Sequence, residues 1–153
     1  MWSRQIGVGA AALMLLIGNG FEGAVAAADP SSGLDQAVVS ARAVSACGPL
    51  RYDPRAARVA DIVNQSTSGY INHVADNVPA DATHPTAVAK DLGITGAKVI
   101  SLQGASRDYG DSVRGVLLEG RNAIPDCSYT DFGTSVINDE SGYILTVVIL
   151  VGP

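Results

Sequence analysis

Apolar residues at Leu34, Ala37, Val38, Ala41 and Val44 recur at helical spacing, and Gly48-Pro49 stops the run, so the chain opens its ordered part with a helix that places Cys47 at its end. Asp53-Pro54 begins a second and better defined helix. Asp can accept from the first free amides, and a proline at the first helical position lacks an amide that would go unpaired. Ala56, Val59, Ala60, Val63, Thr67, Tyr70, Ile71 and Val74 then mark one continuous face. Gly69 within it makes a break near residues 68–70 conceivable, because glycine costs about 1 kcal/mol relative to alanine in a helix interior. Residues 77–85 carry two prolines and one Asp with little apolar content and read as a loop.

A short helix is expected from Thr86 to Leu92, ended by Gly93, then a strand from Ala97 to Leu102. Asp108 to Leu118 reads as another helix, with Val113, Val116 and Leu117 inward and with Gly120 and Pro125 marking its end. Phe132–Ile137 and Tyr143–Val151 read as two strands joined by a hairpin loop with Gly142 late in the turn. Both alternating sets of the last strand are apolar. Tyr143, Leu145, Val147, Ile149 and Val151 form one, and Ile144, Val148 and Leu150 dominate the other. Such a strand must be covered on both faces, as a central strand between helical layers would be.

The N-terminus changes the picture. Arg4, the apolar stretch Ile6 to Gly18 and the small residues Ala24-Val25-Ala26-Ala27 have the order of a secretory signal peptide over residues 1–28. The stretch falls short of the roughly 20 apolar residues that span a bilayer, so no stable membrane anchor is expected after cleavage. No cysteine sits at the cleavage site to take a lipid. Residues 29–33 read as a Pro/Ser/Gly linker and 34–153 as a single domain, a length sufficient for one core and too short for two.

Cys47 and Cys127 are the only cysteines. An even pair in an exported chain is most simply one disulfide, worth up to about 4.5 kcal/mol by loop-closure entropy. The alternative, a free or metal-binding pair, lacks a nearby His to complete a zinc site. The net charge of −5 and the scattered basic residues, clustered only at Arg51, Arg55 and Arg58, do not form the electrostatic footprint of a nucleic-acid binder.

Several motifs together resemble one family. Gly120-Arg121-Asn122-Ala123-Ile124 leads through Ser128-Tyr129-Thr130-Asp131-Phe132-Gly133 into the final apolar strand. Pro49-Leu50-Arg51-Tyr52-Asp53-Pro54 precedes an Ala-rich helix, and Ala97-Lys98-Val99-Ile100 stands where a Glu-Asn-Ile segment would be. This order resembles the CAP superfamily (SCP/TAPS, PR-1-like), a group of secreted domains. The resemblance implies an α/β fold, an α-β-α sandwich with a small central antiparallel sheet flanked by helices. It also implies a cleft in which two His and two acidic residues can hold a divalent cation. His73 matches the first His. Lys98 stands in place of the first Glu, Gly120 replaces the second His, and Glu119 lies near the second acidic position. A cation among these ligands would meet the positive charge of Lys98, so no metal and no other cofactor is expected.

The residues thus read as an exported, non-catalytic domain with a candidate ligand cleft at His73, Lys98, Glu119 and Arg121. From the resemblance, its partner would be a small hydrophobic ligand such as a lipid, or a protein at or outside the cell envelope. No Gly-x-Ser-x-Gly elbow is present. Two other readings stay open at this level: a secreted hydrolase with a rearranged cleft using His73, and a structural or antigen-like secreted protein without a small ligand. Asn64-Gln65-Ser66 matches a glycosylation sequon but falls inside the second helix, where it reads as chance. The abundance of Ala, Val and Gly resembles exported proteins of high-GC bacteria.

Overall fold

In a computed structural model, residues 30–74, 84–95 and 98–153 are described. The expected signal peptide at 1–28 and most of the expected loop at 77–85 lie outside them. Helix α1 spans Pro30–Ala43, followed by β1 (Arg51–Tyr52), α2 (Pro54–Ile71), α3 (Thr86–Asp91), β2 (Lys98–Ser106), α4 (Tyr109–Glu119), β3 (Asp131–Asn138) and β4 (Ile144–Gly152). The strand order is β1-β3-β4-β2. The β3–β4 and β4–β2 pairs are antiparallel, and the two-residue β1 adds a parallel edge beside β3. The α-β-α sandwich that the resemblance implies is present, with β4 at its centre.

β4 alternates between two cores. Val147, Ile149 and Val151 face α2, where they pack with Ala56, Val59, Ala60 and Val63. Val148 and Leu150 face the other layer and pack with Leu34, Val38, Val116, Ile124 and Phe132. Every residue of β4 after Ile144 is buried, as a strand apolar on both faces must be. The helical layer meets the sheet closely at Gly133. A Cβ there would lie 2.0 Å from the backbone nitrogen of Ala57 and 2.3 Å from the carbonyl carbon of Ala56.

Asp53 caps α2 as its position implied, accepting from the Arg55 amide at 2.8 Å. The helix runs through Gly69 without a break. Its apolar stripe is buried only as far as Val63, and Tyr70 and Val74 are exposed. Gly93 has a positive φ of 77° at the end of α3, and the amide of the following residue, buried Ile94, donates to Ala89. This is the left-handed stop that a glycine supplies most easily.

Two expectations need correction, and one element is additional. The linker expected at 29–33 is helical from residue 30: Pro30 suits a first turn, and Gly33 is a contact residue, since a Cβ there would lie 2.7 Å from the Tyr109 hydroxyl. β2 extends to Ser106 rather than ending at Leu102, because β4 pairs with it residue by residue down to Ser106–Ile144. β1 was not expected at all; two residues carry no periodicity.

Candidate functional site

The four residues expected to share a cleft have separate local roles. His73 is exposed and has φ of 57°. Its amide donates to the Tyr70 carbonyl at 3.1 Å, and the Val74 amide donates to Gly69 at 3.0 Å. These two bonds make a Schellman motif with His73 as the left-handed residue that terminates α2. The ring is therefore carried at a helix stop.

Lys98 opens β2 opposite Gly152, at the far end of the sheet from the β3–β4 turn, whereas Asn72, beside His73, donates to Asp139 in that turn at 2.8 Å. The nine residues of β2 separate the two ends, a length of about 27 Å at the usual rise per residue. The Lys98 ammonium is also occupied. It lies 2.9 Å from Asp126 Oδ2 and 2.6 Å from Ser128 Oγ, and 4.2 Å above the Tyr129 ring. Asp126 raises the Lys98 pKa, and the Ser128 amide, ahead of Lys98, pushes the Asp126 carboxyl down to about 2. Glu119 ends α4 and accepts from the Gln103 amide on the outer edge of β2. Arg121 is exposed and donates to the Leu118 carbonyl. No shared cleft is formed by His73, Lys98, Glu119 and Arg121: His73 and Lys98 belong to opposite ends of the sheet, Lys98 is engaged by Asp126 and Ser128, and Glu119 by the Gln103 amide.

Cys47 and Cys127 form the disulfide, with Cα atoms 5.2 Å apart. Beside it Arg42, only 3% exposed, is a feature the sequence reading passed over. Its guanidinium donates to the carbonyls of Gly48 (2.8 Å), Ile124 (2.7 Å), Asp126 (2.8 Å) and Tyr129 (2.9 Å). The planar fork of Arg suits such a convergence of carbonyls. Disulfide, Arg42 and Lys98 together fix the loop between α4 and β3.

Cavities among the described residues offer further candidate sites. One, of about 260 Å³, lies at the β1 end beside Arg51, Asp53, Arg55 and Asp131. Its charges are already matched: Arg51 pairs with Asp131 and Arg55 with Asp53, each at 3.0 Å, and Arg55 also donates to the Gly93 carbonyl at 2.9 Å. The Arg55 guanidinium accordingly holds the Asp53 carboxyl below its ordinary value.

Another, of about 210 Å³, lies between α2 and the sheet, where α2 covers β3 and β4 and leaves the second half of β2 open. Asn64 and Thr67 of α2 form one wall, Leu145 and Val147 the floor, and Gln103 and Ala105 of β2 the far rim. Asn64 is fully buried, which also removes it as a glycan acceptor. Its Nδ2 donates to the Leu145 carbonyl at 3.0 Å and to Ser135 Oγ at 3.2 Å, and its Oδ1 has no hydrogen-bond partner. The signal was present in the sequence as a polar residue flanked by the buried stripe of α2.

Among the described residues, no three His, Cys, Asp or Glu side chains cluster closely enough to hold a metal ion. No described helix is long and apolar enough to cross a membrane.

This arrangement of two helical layers on a four-stranded sheet has known counterparts. A cysteine-rich secretory protein of Staphylococcus aureus matches over 81% of the chain with a TM-score of 0.60 and 13% identity. The fold is CAP-like. An outer surface protein of Borrelia burgdorferi matches over 80% of the chain and 92% of its own length, with a TM-score of 0.65 and 12% identity. The present chain spans 39% of the staphylococcal protein. At these identities the CAP-like likeness concerns the fold. No protein-family model matches the chain, and no curated protein matches it in sequence.

Proposed function

We propose that the chain is an exported, disulfide-stapled binding domain that acts at or outside the cell envelope and catalyses no reaction. The observation that carries this reading is the lining of the pocket under α2. Its walls are amide, hydroxyl, backbone and aliphatic groups, with no His, Cys, acid or base among the described lining residues. Such a wall can hold a ligand. It supplies no base to activate a nucleophile and no acid to protonate a leaving group.

Export is supported by the signal-like N-terminus and by the Cys47–Cys127 disulfide, since disulfides persist in oxidising compartments. The names of the two structural neighbours, one an outer surface protein and the other secretory, agree with it. A small hydrophobic ligand is the occupant the pocket favours over a protein partner, because it is a recess rather than a flat patch. The hydrolase reading has less support, because His73 is exposed at a helix stop and lies outside the residues that line the pocket.

The test is a panel of peptide and ester substrates offered to the purified protein, beside His73→Ala and the pocket-blocking variant Ala105→Trp. The reading predicts no turnover by any of the three. Turnover by the parent chain that either substitution abolishes, with the fold retained, would show a catalytic site and overturn it.

A further inference from the structure

We infer that the pocket between α2 and the sheet binds a small uncharged molecule with an apolar body and one N–H or O–H group, which donates to Asn64 Oδ1. The inference rests on the reading of the chain as a binding domain and names the ligand class of that pocket.

The orientation of the Asn64 amide follows from its partners. The Leu145 carbonyl can only accept, so Nδ2 must face it, and the second hydrogen of Nδ2 goes to Ser135 Oγ. Oδ1 is then the one polar side-chain atom among the buried, described residues without a partner. A buried acceptor left unmatched is unfavourable, since it has lost its water and gained no bond in return. Asn64 is a pocket-lining residue with 0% exposure. A donor entering the pocket restores the missing bond in a low-dielectric setting, where it is strong.

The rest of the lining sets the other properties of the ligand. Leu145, Val147 and Ala105 offer aliphatic surface to an apolar body. Thr67 at the rim is bonded back to the Val63 carbonyl at 3.0 Å. No charged side chain is among the described lining residues, so an ammonium or carboxylate would give up its water for no counter-charge. The volume of about 210 Å³ exceeds the roughly 150 Å³ cavity that admits benzene and is smaller than the roughly 300 Å³ of the smallest drug-sized sites. A ring or short chain of about six to ten heavy atoms fits these limits, as in a phenol or a short primary alcohol.

The probe is 4-methylphenol, with toluene as the analogue lacking the donor. Proton–nitrogen correlation spectra of the purified protein are recorded as each is added. The expected result is that 4-methylphenol shifts the Asn64 side-chain amide and the backbone amides of Gln103, Ala105 and Val147, with at least tenfold tighter binding than toluene. Ala105→Trp, at the exposed rim of the pocket, abolishes these shifts while the rest of the spectrum is kept. Asn64→Leu, if it folds, removes the preference for the phenol; if it does not, Ala105→Trp and the toluene comparison decide.

Absence of shifts at these residues with millimolar 4-methylphenol, equal affinity for toluene, or binding that survives Ala105→Trp would each overturn the inference. Those failures leave the non-catalytic reading standing, because that reading falls on turnover and not on these spectra.

Discussion

Arg42 Nη1 lies 2.7 Å from the carbonyl oxygen of Ile124, 82 residues further along the chain. Through this bond and two more, to Asp126 and Tyr129, α1 holds the loop between α4 and β3, and a fourth ties down Gly48 after α1. Removing the guanidinium leaves four carbonyls to find other donors, two of them in buried bonds. Arg42→Met is therefore expected to lower the unfolding free energy by about 3 kcal/mol or more. Arg42→Lys should recover less than half, since one ammonium cannot span the four acceptors. Urea denaturation of the three proteins checks both values.

Gly133 is required by contact rather than by conformation. Its Cα faces the first turn of α2 so closely that a methyl group would overlap backbone atoms of Ala56 and Ala57. Neither helix nor strand can yield without disturbing the core between them. Gly133→Ala is expected to cost at least about 3 kcal/mol, seen as a large fall in the thermal midpoint or as loss of folded protein.

Acid should weaken the domain through two carboxylates. Asp126 is held down to about 2, first by the Ser128 amide and then by Lys98. Asp139, 6% exposed, is held well below the ordinary carboxylate range, first by the Ser141 hydroxyl and then by Ser68. Because both carboxyls are depressed in the folded state, their contribution is complete above the unfolded value of about 4 and is lost as pH falls toward 2. Urea midpoints measured from pH 6 to pH 2 should fall chiefly below pH 4. Asp126→Asn should lie below the parent at pH 6 and approach it near pH 2.

His73 offers a test of role by backbone conformation. At φ of 57° a β-branched side chain is strained, while glycine is at ease. His73→Val should cost about 1 kcal/mol, and His73→Gly should leave stability unchanged or raise it by up to about 1 kcal/mol. Thermal unfolding distinguishes this order from one in which the imidazole makes a stabilising contact, where both substitutions would cost alike.

Much of the fold was legible because it rests on local signals. Asp53-Pro54 with the stripe from Ala56 to Val63 specified α2, and the doubly apolar run from Leu145 to Val151 specified a strand covered on both sides. Gly93 and Gly142 marked a helix stop and a hairpin, and both have positive φ. The second half of β2 was not legible, since Gln103-Gly104-Ala105 lacks apolar alternation and is a strand only by pairing with Leu145 to Val147. Gly104 is there for space: a Cβ would meet the Ser112 carbonyl at 2.1 Å.

The site was less legible than the fold. Arg42 looked like any helix-surface cation, because nothing local announces that carbonyls 82 residues or more away converge on it. His73, Lys98, Glu119 and Arg121 were grouped by similarity to a cleft, whereas the structure gives Lys98, Glu119 and Arg121 other partners and puts His73 at a helix stop. Asn64 stood in plain view as a polar residue beside the buried face, but a sequon pattern gives no sign of burial.

The measurement that bears most directly on the central claim is the intact mass of the protein recovered outside a bacterial host, taken under denaturing conditions with and without reductant. The account predicts a chain shortened at residues 24–28 that gains two hydrogens on reduction of Cys47–Cys127. A full-length chain confined to the cytoplasm, with both cysteines reduced, would contradict it.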